Sequence, residues 1–207
     1  MRIVLLFLLC CSALGAEQKS PRALVEQGIA EFRAGKVAES ITSFEAASKL
    51  QPNLRAHLWQ LGISYYYAQE FEKGQKLFEA HQTVNPQDVE NAIWHFLCLS
   101  RTDGVEAARK KFIKITDDRR IPMKELHSLF AGEGSETEVL AAAQNGKPSD
   151  EELKERLFYS YLYLGLYEEA LKHPEISLAY MKKAAGEFSS KHYMGDVARL
   201  HVKIRTP

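Results

Sequence analysis

Apolar and small residues step by four along the start of this chain. Leu24, Gly28 and Phe32 share one face of a predicted helix that opens at Pro21, a residue suited to a first helical position, and stops at Gly35, where a left-handed cap favours glycine. Val37, Ile41, Phe44 and Ala47 make the apolar stripe of a second helix, which Leu50-Gln51-Pro52 closes. The pattern then starts again with Leu58, Leu61, Gly62 and Tyr65, followed by Phe71, Gly74, Phe78 and Pro86. Later the stripes thin out. Trp94, Leu97 and Cys98, then Gly104, Ala108 and Phe112, predict a third pair whose internal spacing is about two residues short. A charged break from Thr116 to Ile121 ends at Pro122, and short helices are expected over Pro122–Ala131 and Glu136–Ala143. Ser149 or Asp150 caps a long helix with Leu153, Leu157, Tyr161, Leu164 and Gly165 in its apolar row. Lys172-His173-Pro174 is the next turn, and Ser177, Met181 and Ala184 belong to a following helix. Tyr193, Met194, Val197, Leu200, His201 and Ile204 predict a closing one.

The first two helix pairs are one motif written 34 residues apart: Leu24, Gly28, Phe32, Ser40, Phe44 and Pro52 recur as Leu58, Gly62, Tyr66, Gly74, Phe78 and Pro86. Gln69 stands where the inter-helix glycine, Gly35, would recur. This period, with small residues and aromatics in fixed slots, resembles the tetratricopeptide repeat (TPR), a helix–turn–helix unit. The resemblance implies an all-α solenoid. It divides the chain into clear repeats over 21–54 and 55–88, a degenerate unit over 89–115 and non-TPR helices over 122–144. A late repeat over 150–186 and a capping helix over 190–205 complete it. Residues 17–205 are expected to form one domain, because such a unit cannot bury its apolar face alone. The layout is also similar to periplasmic TPR adaptor proteins of the new-lipoprotein-I kind, which implies a bacterial extracytoplasmic adaptor.

The chain's opening changes the picture. Met1-Arg2 is followed by an unbroken apolar run, Ile3 to Leu9, then Cys10, Cys11, Ser12, Ala13, Leu14, Gly15 and Ala16. That is the form of a secretory signal peptide over 1–16, too short to span a bilayer as a mature helix. The residues before Cys10 and Cys11 are not the small ones that a lipoprotein motif needs, so simple cleavage to a periplasmic or secreted protein is the expectation. Of three cysteines only Cys98 would remain, so packing and not a disulfide must hold the domain. Lysine plus arginine equal aspartate plus glutamate at 27 each, which leaves no global field for nucleic acid or an anionic membrane. Lys172, Lys182, Lys183 and Lys191 are interspersed with glutamates and read as a solvated face.

In TPR proteins, positions 2, 5, 9, 12 and 13 of the first helix face the concave side. Slot by slot the resemblance implies Arg22, Val25, Ile29, Phe32 and Arg33 from the first repeat, and Ala56, Trp59, Ile63, Tyr66 and Tyr67 from the second. The expected protein-binding groove is therefore Val25, Ile29, Phe32, Arg33, Trp59, Ile63, Tyr66 and Tyr67, an aromatic surface edged by arginine, the composition of interface hot spots. Its arginines would favour an acidic or amphipathic segment of a partner. The carboxylate-clamp type of TPR holds a chain terminus with polar residues at slots 5 and 9, which here are apolar.

Enzyme chemistry finds little support. His57, His81, His95, His127, His173, His192 and His201 include no pair at the helical spacing of zinc hydrolases, and there is no CxxC, GxSxG, phosphate loop or dinucleotide glycine pattern. Cys98 reads as a small packed residue. No metal or cofactor is expected, and oligomeric state is left open. The sequence thus points to a non-catalytic scaffold or adaptor that binds a protein segment in the cell envelope. The alternative is an extracytoplasmic hydrolase, or an accessory to one, that uses a histidine site.

Overall fold

Ser20 starts the first helix, its hydroxyl accepting from Ala23 N at 3.2 Å, with Pro21 in the first turn. From there the computed structural model describes residues 19–206, and the signal-peptide expectation for 1–16 lies outside them. The described chain is all-α, with no strand among these residues. Its helices are α1 (Pro21–Arg33), α2 (Val37–Leu50), α3 (Trp59–Tyr67), α4 (Phe71–Gln82), α5 (Val89–Thr102) and α6 (Val105–Lys110). The second half contributes α7 (Met123–Ala131), α8 (Glu136–Gln144), α9 (Asp150–Ala170), α10 (Pro174–Ala185) and α11 (Tyr193–Arg205). Consecutive helices pack as pairs, α1 on α2, α3 on α4, α9 on α10, an arrangement compatible with a helical-repeat solenoid.

The same contact is made three times. A Cβ added to Gly28 would lie 2.8 Å from the Phe44 ring, one on Gly62 2.6 Å from Phe78, and one on Gly165 2.8 Å from Met181. Each glycine removes a side chain where the second helix of a pair presses a large one against the first. The turns between paired helices repeat as well. Gly35 (φ 80°), Gln69 (φ 63°) and Lys172 (φ 65°) are all left-handed. Each donates its N–H three residues back, to Phe32, Tyr66 and Glu169, and the next residue donates five back, to Glu31, Tyr65 and Glu168. This double bond closes a helix after a left-handed residue. Cys98 fills the small slot of the third pair, its sulfur 2.8 Å from where a Cβ on Gly74 would stand.

Three elements differ from the sequence expectation. The first turn of the second repeat is a 3-10 helix, Pro52–His57, so α3 starts only at Trp59. Helix α6 stops at Lys110, before Phe112, and residues 112–119 run without regular structure. They are pinned instead by side chains: His127 Nε2 lies 2.9 Å from Ile113 O, and Gln87 Oε1 accepts from Thr116 N and Asp117 N. Finally, α11 does more than cover the last pair. It packs on α10 and also reaches α1, joining the two ends of the described chain. Its buried face is Met194, Val197, Ala198, Leu200 and His201.

Two apolar cores result. A smaller one holds Ile41, Phe44, Leu58, Leu61, Tyr65 and Leu77 between the first two pairs. The larger runs from Phe32 through α3, α5 and α7 to α9, α10 and α11. Helix α9 lies at its centre, which is why Leu162 to Glu168 are buried on every side of the helix.

Candidate functional site

The eight residues expected to line the groove divide into two groups. Val25 and Ile29 pack against the smaller core. The other six gather under the C-terminal half of the molecule, where the chain itself meets them. Phe32, fully buried, stacks on Tyr193 with centroids 4.9 Å apart, and Trp59 meets the same ring edge-on at 5.2 Å. Tyr66 donates its hydroxyl to Glu169 Oε2 at 2.6 Å, and the Tyr67 hydroxyl lies 3.1 Å from His201 Nδ1. Ile63 is fully buried in the larger core. Arg33 Nε donates to Asp196 Oδ2 at 3.0 Å, while Arg22 pairs with Glu26 on its own helix. Helix α11 therefore lies along the aromatic row, and Arg33 is engaged by it.

Electrostatics tighten this contact. Burial pushes the Tyr66 and Tyr67 phenols well above their usual range, and the Glu169 charge adds to that. Burial alone would raise the Glu169 carboxyl, but His201, the Tyr66 hydroxyl and Arg205 together hold it below the usual carboxylate range. Burial lowers His201 to about 4, against the smaller opposing pull of Glu169. The ring is thus neutral near pH 7.

Beyond the end of this contact a cavity of about 390 Å³ remains open between α3, α4, α5, α9 and the start of α11. Trp59, Phe78, Trp94, Tyr159 and Tyr193 give its aromatic wall, and Asp88, Glu90, Asn91 and His81 its polar one. Among the described residues, no lysine or arginine lines it. Asp88 caps α5, accepting from Glu90 N at 3.1 Å. Arg120, from the irregular segment, reaches Asp88, Glu90 and Asp118 at 2.6–2.7 Å, so three carboxylates share one guanidinium. Burial raises the Glu90 carboxyl, a shift that Arg120 and the Tyr163 hydroxyl partly offset. Three wall residues hold unused hydrogen-bonding capacity: Asn91 Oδ1, Trp94 Nε1 and the Tyr193 hydroxyl are buried without a partner.

Of the cavity wall, Trp59 is the residue that its repeat slot had singled out. The rest of the wall was not singled out in this way. Tyr159 stands in the late repeat, and Arg120 reaches α5 from a loop, a contact that carries no periodic signal.

Five of the histidines, His81, His95, His127, His173 and His201, serve hydrogen bonds within the fold. His81 Nδ1 lies 2.8 Å from Ala56 O, His95 Nε2 3.3 Å from Glu79, and His173 Nδ1 2.7 Å from Glu168. No group of three or more histidine, cysteine, aspartate or glutamate side chains suited to a metal ion occurs among the described residues. Burial pushes the Cys98 thiol far above its usual value. Among the described residues no helix is long and apolar enough to cross a membrane. No known family model matches the chain, and none of the curated proteins compared with it does.

Proposed function

We propose that this protein is a non-catalytic, TPR-like interaction module of the bacterial cell envelope that binds a segment of a partner protein at its concave face. The observation that carries the reading is Trp59. It is half-buried, it occupies the slot that the TPR resemblance assigns to a groove, and it stands on the wall of the open cavity beside the start of α11. Aromatic side chains at the edge of a concave surface are the usual anchors of protein interfaces. The thrice-repeated glycine contact and the thrice-repeated left-handed turn support the TPR-like part of the proposal. Export rests on the leader-like residues 1–16.

The test uses the mature chain as paired baits, native and Trp59→Ala, in a bacterial envelope extract. A partner retained by the native bait and lost from the variant, with helix content nearly intact at the assay temperature, is expected. Partners retained equally by both would move the interaction to another surface. Mass spectrometry of the exported chain should find residues 1–16 removed. An intact Met1, or a lipid on Cys10 or Cys11, would overturn that part.

A further inference from the structure

We propose that the cavity between α5, α9 and the start of α11 receives a basic side chain, arginine or lysine, from the partner segment. This rests on the interaction-module reading above and gives the partner a chemistry. The carboxylates on the cavity wall, Asp88 and Glu90, can only accept when ionised. Asp88 and Glu90 belong to a cluster of three carboxylates with one guanidinium, Arg120, among them. Two negative charges are therefore not matched by a side chain when all three are ionised, although the α5 N-terminus offsets part of that.

Asn91 supplies a second, independent sign. Its amide nitrogen is spent on Phe78 O at 3.2 Å and Gln82 Oε1 at 2.8 Å, which leaves Oδ1 as an unused acceptor on a residue only 2 % exposed. His81 adds a third acceptor. A backbone carbonyl can only accept, so the ring gives its Nδ1 proton to Ala56 O, and in the neutral ring the other nitrogen is an acceptor. The unused buried donors are Trp94 Nε1 and the Tyr193 hydroxyl, which a backbone carbonyl of the same segment could meet; the hydroxyl can also accept.

The apolar wall fits a cation as well as the polar one does. Trp59, Tyr159 and Tyr193 are among its lining, and a guanidinium or ammonium group is attracted to aromatic rings more strongly when water is excluded. A neutral apolar side chain would leave the acceptors without donors, and an acidic one would meet Asp88 and Glu90. The arginine edge first expected to select an acidic partner is engaged elsewhere, Arg33 with Asp196. The open part of the concave face thus carries the opposite preference.

Both tryptophans of the chain line this cavity, so intrinsic fluorescence reports on it directly. The experiment titrates the full mature chain with N-acetyl-arginine methylamide and with its neutral isostere, N-acetyl-citrulline methylamide. A saturable change with a midpoint of roughly 1–10 mM is expected for the arginine compound, the range open to so small a ligand. The citrulline compound should bind about tenfold more weakly, because charge-assisted hydrogen bonds are lost. Asp88→Asn keeps a good helix cap and removes one charge. It should weaken arginine binding several-fold with an unchanged thermal midpoint. Equal binding of the two compounds, no saturable response, or full affinity in Asp88→Asn would each overturn the proposal. Should Trp59-dependent partner capture persist in that case, the interaction-module reading stands and only the cationic chemistry falls. Should the arginine compound bind while no partner depends on Trp59, that reading falls instead, and the cavity takes a free guanidinium compound, which overturns the partner half of this proposal.

Discussion

Phe44, Phe78 and Met181 each press on a glycine sixteen positions earlier, and the tolerance for bulk there is close to nil. A side chain at Gly62 would begin 2.6 Å from an aromatic ring that is itself buried, with nowhere to retreat. Gly62→Leu should cost about 1–3 kcal/mol by overpacking, visible as a lower midpoint in urea unfolding. An unchanged midpoint would mean that the helices do not meet at this glycine. The left-handed turns make the opposite kind of prediction. Gln69 holds φ 63° where the first repeat has Gly35, and an L-residue there costs about 1–2 kcal/mol. Glycine's larger unfolded-state entropy offsets roughly 0.5–1 kcal/mol of that. Gln69→Gly should therefore stabilise the protein by up to about 1 kcal/mol, and a destabilised variant would show that the Gln69 side chain does something the turn does not reveal.

At the scale of the element, α11 is held by groups that titrate. His201 has a folded value of about 4 against 6.5 when solvated, because burial disfavours its charged form. Between those values the unfolded chain binds a proton that the folded chain does not, so stability falls as pH drops from about 6.5 towards 4 and is fully present above that window. The full span corresponds to about 3 kcal/mol. The groups facing the ring are the Tyr67 hydroxyl, Glu169 and Arg205, and Glu169 keeps its charge through most of the window because its carboxyl is held low. His201→Gln can still meet the Tyr67 hydroxyl and does not titrate. Comparing its urea midpoints with the native ones from pH 7 to pH 4.5 isolates the histidine, and parallel curves would sink the assignment. The helix itself was legible in the sequence, down to Tyr193, Met194, Val197 and Leu200 on its apolar face. Its destination was not. Periodicity tells which face of a helix seeks cover and says nothing about which surface provides it. An aromatic row such as Trp59, Ile63 and Tyr67 looks the same whether a partner covers it or the chain's own last helix does. The late start of α3 was hidden for a related reason. Repeat spacing is set by the packed slots Leu58 and Gly62, which stay in register even though the turn before them tightens to a 3-10 helix.

On the scale of the whole molecule, the return of α11 to α1 alters how the repeats share stability. A linear stack of helix pairs is stabilised by neighbour contacts alone, so its ends can unravel independently. Here the first pair is tied to the last helix through Phe32 on Tyr193 and Arg33 on Asp196, and the second pair is tied to that helix through Tyr67 on His201 and to α9 through Tyr66 on Glu169. Neither end can open without uncovering aromatic surface of the other, so the mature chain should unfold in a single cooperative step with equal calorimetric and van't Hoff enthalpies. Tyr193 is the residue on which this closure turns, because its ring touches both repeats, stacking on Phe32 at 4.9 Å and meeting Trp59 at 5.2 Å. Tyr193→Ala removes both contacts and leaves a void that the rigid rings beside it fill poorly. The cost should be about 3–5 kcal/mol, in the range of large aromatic truncations. The more telling consequence is in cooperativity. With the closure broken, α1 and α2 keep only their contacts with the second repeat and should melt ahead of α9 to α11. Calorimetry would then show a broadened or divided transition, with a calorimetric enthalpy exceeding the van't Hoff value. A control truncation inside one pair, Leu77→Ala in the smaller core, should lower the midpoint by a similar amount and leave the transition single. If Tyr193→Ala also melts in one sharp step, the ends are not coupled through this ring, and the repeats must share their stability through α5 and α9 instead.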